Sequence, residues 1–250
     1  MVHYSLENKV AAVTGTTRGI GKAVALAFAE AGADLALIQR SSNDETKREI
    51  EQLDVTCEIF HCDLSDMEQV RAVIPEINEK MGSVDILVNN AGIQKRHPAV
   101  EFPESDWDQV LDINLKAVWI LCQEAGKVML NNNYGKIINI ASLVSFQGGI
   151  TVPAYTSAKG AVGQLTKALA NEWSSKGINV NAIVPGYIDT EMNTSLINDP
   201  TRSRQILERI PAGRWGEPND FKGPALFLAT DASNYVHGHL LAVDGGWLGR

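Results

Sequence analysis

Tyr155 and Lys159 stand four positions apart in the segment Tyr155-Thr-Ser-Ala-Lys159. On a helix that spacing puts a phenol and an ammonium on one face, a turn apart. A free phenol, with a pKa of about 10, is a poor base near neutral pH. A neighbouring cation stabilises the phenolate, so the spacing predicts a tyrosine whose pKa is lowered. Such a group protonates a carbonyl oxygen in one direction and deprotonates a hydroxyl in the other. Ser142, at the end of the preceding apolar run, could hold the same oxygen by a hydrogen bond. A Tyr-x-x-x-Lys spacing also arises by chance on protein surfaces. It gains meaning by following a strand that delivers its end to the same sheet edge as a glycine-rich turn.

That turn reads Thr14-Gly15-Thr16-Thr17-Arg18-Gly19-Ile20-Gly21, between an apolar run and an Ala-rich helical pattern. Gly15 allows a sharp turn off the strand, Gly19 lets backbone approach a pyrophosphate, and Gly21 lets the helix lie close to the sheet. The helix start then offers free N–H groups and a positive dipole end to the anion. The spacing is not G-x-G-x-x-G, and no Lys-Ser or Lys-Thr pair follows, which excludes a Walker A loop. The next strand ends in Gln39-Arg40 without the carboxylate that would bind a ribose 2′-hydroxyl. Arg18 and Arg40, converging from two loops, could clamp a 2′-phosphate, which favours NADP over NAD. The alternative is that both are solvated loop charges.

These residues need a scaffold that brings strand ends together. Apolar runs at 10–14, 34–38, 55–61, 84–88, 136–140, 179–184 and 240–243 read as strands. Between them lie helical patterns at 21–31, 44–53, 65–81, 104–131, 154–176 and 219–230, the third opened by a Ser65–Glu68 capping box. Continuous apolar strands separated by helices predict an α/β fold. It is a doubly wound, Rossmann-like parallel sheet of about seven strands with helices on both faces. With 250 residues and no linker or repeat, one domain over 1–250 is expected, with a flexible substrate flap at about 190–214.

The formal charge of −8 and the lack of a Lys/Arg-rich run argue against nucleic acid. No apolar stretch long enough to span a membrane and no secretory leader are visible, so a cytoplasmic protein is expected. Cys57, Cys62 and Cys122 then read as reduced thiols, and His237-x-His239 lacks a third metal ligand, so no metal is expected.

Jointly, the glycine turn, Asn89-Asn-Ala-Gly92, Ser142, Tyr155-x-x-x-Lys159 and Pro185-Gly186 resemble the short-chain dehydrogenase/reductase family along essentially the whole chain. The resemblance implies that Asn114 completes a catalytic tetrad with Ser142, Tyr155 and Lys159, holding a water beside Lys159. Lys159 would also bond the nicotinamide ribose. Gly15, Thr17, Arg18, Gly19, Ile20, Gly21 and Arg40 would then hold the phosphates, and Asp63 and Leu64 would flank adenine. Asn90 and Gly92 would line the cofactor groove, with Pro185, Gly186, Ile188 and Thr190 over the nicotinamide. Hydride passes directly between nicotinamide and substrate carbon. Segments 136–149, 170–173, 209–216 and 243–250 are similar to the branch of 2-deoxy-D-gluconate 3-dehydrogenases and 2-dehydro-3-deoxy-D-gluconate 5-dehydrogenases. That implies a sugar-acid substrate, with Arg96 and Arg202 as candidates for its carboxylate and Gln147 for a hydroxyl. Members of that branch are usually associated with NAD, which Arg18 and Arg40 contradict.

Two rival functions remain on the sequence: a 3-oxoacyl carrier-protein reductase and a non-catalytic nucleotide-binding regulator. The first needs a basic docking patch near the cleft, for which Arg96, Arg202 and Arg204 are the candidates; the second should lack part of the tetrad. The family resemblance also implies a homotetramer, with the helices at 104–131 and 154–176 and the C-terminal strand at interfaces. The tail around Trp247 and Leu248 would be buried there.

Overall fold

The computed structural model describes residues 4–250. Its strands are β1 (Val10–Thr14), β2 (Asp34–Gln39), β3 (Cys57–His61), β4 (Ile86–Asn89), β5 (Gly135–Ile140), β6 (Ile178–Pro185) and β7 (Leu240–Val243). They form one seven-stranded sheet in the order β3-β2-β1-β4-β5-β6-β7, with every pair parallel. The strand order reverses between β1 and β4, and the carboxyl ends there open the crevice in which such sheets bind ligands.

Helices cover both faces because the central strands are apolar on both. They are α1 (Gly19–Glu30), α2 (Glu45–Ile50), α3 (Met67–Met81), α4 (Glu104–Leu111), α5 (Ala117–Asn132), α6 (Pro153–Trp173), α7 (Thr194–Ile197), α8 (Pro200–Arg209) and α9 (Lys222–Ala229). Val24 and Phe28 of α1 and Leu228 of α9 pack with Val13, Leu35 and Val88 on one face. Ile74 and Ile77 of α3, Leu121 and Met129 of α5 and Val162 of α6 pack with Ala12, Leu87 and Ile137 on the other.

Several local expectations shift. Asp66, rather than Ser65, caps α3, accepting from the Glu68 and Gln69 amides at 3.0 and 3.3 Å. Ser65 instead donates its hydroxyl to Asp63 at 2.7 Å. A carboxylate at a helix start gains from the dipole as well as from the hydrogen bond, so it outcompetes the neighbouring hydroxyl. The expected helix over 104–131 is two helices joined by a π-helical turn, Asp112–Lys116, in which the Ala117 amide reaches back to the Asp112 carbonyl. The flap contains α7 and α8 and is closed at its base. Ile188 bridges to Gly216, the Asp189 amide donates to the Gly216 carbonyl, and the Gly216 amide donates to the Tyr187 carbonyl. The tail also differs from expectation: Trp247 is buried within its own chain, against Tyr187. Among the described residues, no helix is long and apolar enough to cross a membrane.

Candidate active site

The glycine turn leaves β1 with Gly15 at φ 71° and Gly19 at φ 59°, both in the left-handed region that favours glycine. A Cβ on Gly21 would collide with the Gly15 carbonyl oxygen, so α1 approaches the turn as closely as only glycine allows. A Cβ on Gly19 would stand in ordinary van der Waals contact with Thr190 Cγ2 at 3.7 Å, so the turn lies directly beneath the start of the flap. Arg18 occupies the N-cap of α1 without a side-chain cap, which leaves the first-turn amides, including that of Ile20, available to an anion. Asn90 is half-buried beside the turn. Its amide donates to the Thr14 and Gly15 carbonyls at 3.0 and 3.2 Å, while the Thr14 hydroxyl accepts from the Asn90 and Ala91 amides. Asn90 therefore braces the turn. The uncapped first turn of α1, reached through a glycine turn, fits a dinucleotide pyrophosphate.

At the β2 end, Gln39 is buried and held inside the protein. Its oxygen accepts from the Thr16 hydroxyl at 2.9 Å, and its nitrogen donates to the Ser41 and Asn43 carbonyls. Arg18 and Arg40 each pair with a carboxylate of their own. Arg18 pairs with Glu191 of the flap at 2.7 Å, and Arg40 lies 3.9 Å from Asp63; both arginines are exposed. Ion pairs so open to water are weak and readily exchanged for a phosphate. Asp63, at the end of β3, is held below the usual carboxylate range by hydrogen bonds from Ser65 and by Arg40. Leu64 beside it packs on the core.

The chemical centre forms where β5 meets α6. Ser142 follows β5 in extended backbone, and Tyr155 and Lys159 occupy the first turns of α6. Lys159 is buried, donates from Nζ to the Ile140 carbonyl at 2.6 Å and lies 5.8 Å from the centre of the Tyr155 ring. Burial alone pulls its pKa down to about 8. The Tyr155 phenol, contrary to expectation, is pushed up, because burial outweighs the pull of a Ser142 hydrogen bond and the Arg96 charge.

Asn114 sits fully buried in the π-helical turn, and its side chain closes a two-way pair with Ile93: Oδ1 accepts from the amide at 2.9 Å, and Nδ2 donates to the carbonyl at 2.7 Å. Gly92 lies where Asn114 and Lys159 meet; a Cβ there would come within 2.8 Å of Asn114 Oδ1 and 3.9 Å of Lys159 Nζ. Three segments distant in sequence thus converge on one ammonium.

On the substrate side, Arg96 stands at the rim. Its guanidinium loses enough hydration that its pKa is lowered, against the raising influence of Tyr187 and Tyr155, with Arg202 lowering it further. Among the described residues, no carboxylate lies within ion-pair distance of Arg96 or Arg202. Arg202 is exposed on α8 and donates to Gln205 at 3.0 Å. Pro185 ends β6, the Gly186 amide donates to the Val243 carbonyl, and Ile188 is buried at the flap base. Gln147 accepts from the Trp247 indole at 3.3 Å. Tyr187, Trp215 and Trp247 form an aromatic wall, with ring centres 5.6 and 4.7 Å apart from Tyr187. Sequence reasoning did not select Tyr187; its place directly after Pro185-Gly186 was the available signal.

This fold and this constellation define a nicotinamide-dependent oxidoreductase scaffold. A family model described as enoyl-(acyl carrier protein) reductase matches residues 15–248, and the chain belongs to the short-chain dehydrogenase/reductase family. It is 53% identical over 250 residues to a 2-dehydro-3-deoxy-D-gluconate 5-dehydrogenase from Pseudoalteromonas atlantica, covering 99% of this chain and 98% of that one. A structure from Agrobacterium tumefaciens with bound NADP, provisionally called a 2-deoxy-D-gluconate 3-dehydrogenase, superposes with a TM-score of 0.94 at 49% identity over 100% of both chains. A gluconate 5-dehydrogenase from Burkholderia cenocepacia, in complex with NADP and tartrate, superposes at 0.92 with 38% identity over 99% of this chain and 98% of that one.

Proposed function

We propose that the protein interconverts a secondary alcohol and a ketone on a sugar acid, of the 2-deoxygluconate or 2-keto-3-deoxygluconate type, with NADP(H) preferred over NAD(H). The observation that carries this reading is the position of Arg96. An unpaired guanidinium stands close enough to Tyr155 to lower its pKa, so an anionic substrate held there presents its carbon chain to the phenol. The relatives named for gluconate and its deoxy-keto derivatives support the same substrate class.

In the reducing direction the Tyr155 phenol donates its proton to the carbonyl oxygen, and in the oxidising direction its phenolate takes the hydroxyl proton. Ser142 holds that oxygen by a hydrogen bond and fixes the substrate's orientation. Lys159 places positive charge beside the phenolate and keeps donors free for the nicotinamide ribose. The π-helical turn at Asn114 locks Ile93 and with it the floor under Lys159. When bound, the nicotinamide supplies or accepts the hydride. Its phosphates would rest on the free amides at the start of α1, Arg18 and Arg40 would meet the 2′-phosphate, and Ile188 and Thr190 would cover the ring.

Turnover of a panel of sugar acids and their keto forms with NADPH, NADP, NADH and NAD tests this directly. No turnover of any sugar acid, with ready reduction of a neutral ketone, would reject the substrate class. Arg40→Asp is expected to weaken NADPH roughly tenfold or more while leaving NADH little changed, because it replaces a phosphate partner by a repelling carboxylate. Equal weakening of both would reject the role of Arg40. Tetramer formation rests on the family resemblance and on Trp119, an indole left exposed on α5; sedimentation measures it.

A further inference from the structure

Gln147 and Trp247 are a hundred residues apart, yet the indole N–H of Trp247 meets the side-chain oxygen of Gln147 at 3.3 Å. An indole nitrogen can only donate. It therefore fixes which way the amide faces: oxygen toward Trp247, NH₂ away from it. The backbone of Gln147 is held too, its amide donating to the Leu143 carbonyl at 3.2 Å. A glutamine left to itself presents either end to a ligand; this one presents its donors.

Trp247 is well fixed for that task. It is buried, its ring centre lies 4.7 Å from that of Tyr187, and the Arg209 guanidinium lies 4.0 Å from its ring centre. The tail that carries it is tied down by Asp244, which accepts from the Gly246 and Leu248 amides at 2.8 Å each. The Ala212 amide of the flap donates to the Gly245 carbonyl, which joins the tail to the flap.

We infer that Trp247 is a positioning residue for substrate selection. By turning Gln147 into a fixed donor, it adds a second side-chain donor to the Arg96 guanidinium on the substrate side. Two such donors favour a carboxylate or keto-acid terminus over the uncharged polyol of the same length, because hydrogen bonds to an ionised acceptor are stronger than those to a neutral hydroxyl. This inference rests on the sugar-acid reading above and specifies how that reading is enforced.

The test is equilibrium binding of D-gluconate and of uncharged D-glucitol to the cofactor-loaded protein, measured by calorimetry for wild type and two variants. Trp247→Phe keeps the aromatic packing on Tyr187 and Arg209 but removes the N–H, so Gln147 is free to turn its oxygen outward. It is expected to lower the preference for gluconate over glucitol about tenfold, the scale of one hydrogen bond to a charged group. Gln147→Glu, which faces the ligand with a carboxylate oxygen, is expected to lower it further. A Trp247→Phe variant that keeps the wild-type preference overturns the inference alone. So does one that weakens both ligands equally, since loosened packing would act on both. A wild type without any preference for gluconate would remove the sugar-acid reading and the inference with it.

Discussion

Two buried lysines grip opposite ends of the same strand. Lys136 enters β5 near its amino end, and Lys159 reaches from α6 to the carbonyl of Ile140 at its carboxyl end. Burial pulls both down to about 8. Their surroundings differ. The Lys136 ammonium donates to the side-chain oxygens of Asn179 and Asn234 at 3.0 and 2.6 Å, and Asp231 partly restores its charge. Asn179 in turn donates to the Ser233, Asn234 and Val236 carbonyls, so Lys136 ties β5 to β6 and to the loop before β7. Lys159 has one carbonyl partner, and the rest of its donor capacity faces Tyr155, Gly92 and Asn114. Burial and a shifted pKa do not by themselves identify a catalytic group. The role proposed for Lys159 rests instead on its unused donors at the carboxyl edge of the sheet.

The largest effect that would sharpen this contrast lies at Tyr155. Tyr155→Phe removes the group proposed to exchange a proton with substrate oxygen, and kcat/KM should fall about 10³-fold or more with the fold retained. Steady-state rates beside a circular dichroism spectrum check it, and a variant within tenfold of wild type would break the assignment. Next is Lys136→Met, which leaves the Asn179 and Asn234 oxygens without their donor. A loss of roughly 1–3 kcal/mol in unfolding free energy at pH 7 is expected from urea titration. An unchanged or raised stability would show that the lysine is a burial penalty and not a tie.

A smaller effect concerns pH. Each lysine has a folded pKa near 8 against an ordinary value of 10.5, so above pH 8 the unfolded chain holds more protons than the folded one. Stability should therefore rise with pH from about 8 to 9, each group adding a slope of at most about 1.4 kcal/mol per pH unit. Above pH 9 the raised pKa values of Cys57, Cys62 and Cys122 act in the opposite sense, joined above pH 10 by those of Tyr155 and Tyr134. Lys136→Met should remove most of the rise. A wild-type stability that is flat or falls over that window would contradict the burial of both ammonium groups.

Legibility in the sequence followed the range of the forces involved. Strands such as Val10–Thr14 and Gly135–Ile140 read clearly because both faces are buried and apolar identity alone reveals them. The glycine turn was legible because steric demands at Gly15, Gly19 and Gly21 leave one residue type. The π-helical turn at Asp112–Lys116 was not, since its altered hydrogen bonding leaves the helical apolar pattern intact on either side. Nor was the phenol's raised pKa, because spacing gives the neighbouring charge but not the degree of burial. Trp247 was read as an interface residue because a tail's apolar side chain says nothing about which surface it will find. Its partners, Tyr187, Arg209 and Gln147, lie in three other segments and meet only in the fold.

The most direct measurement is kcat/KM for Lys159→Met and Lys136→Met side by side, with the best sugar acid and saturating NADP or NADPH. Lys159→Met should lose about 10²-fold or more, and Lys136→Met, once shown to be folded, should stay within about twofold of wild type. Equal losses in both, or a Lys159→Met variant that turns over normally, would contradict the assignment of chemistry to the lysine with free donors.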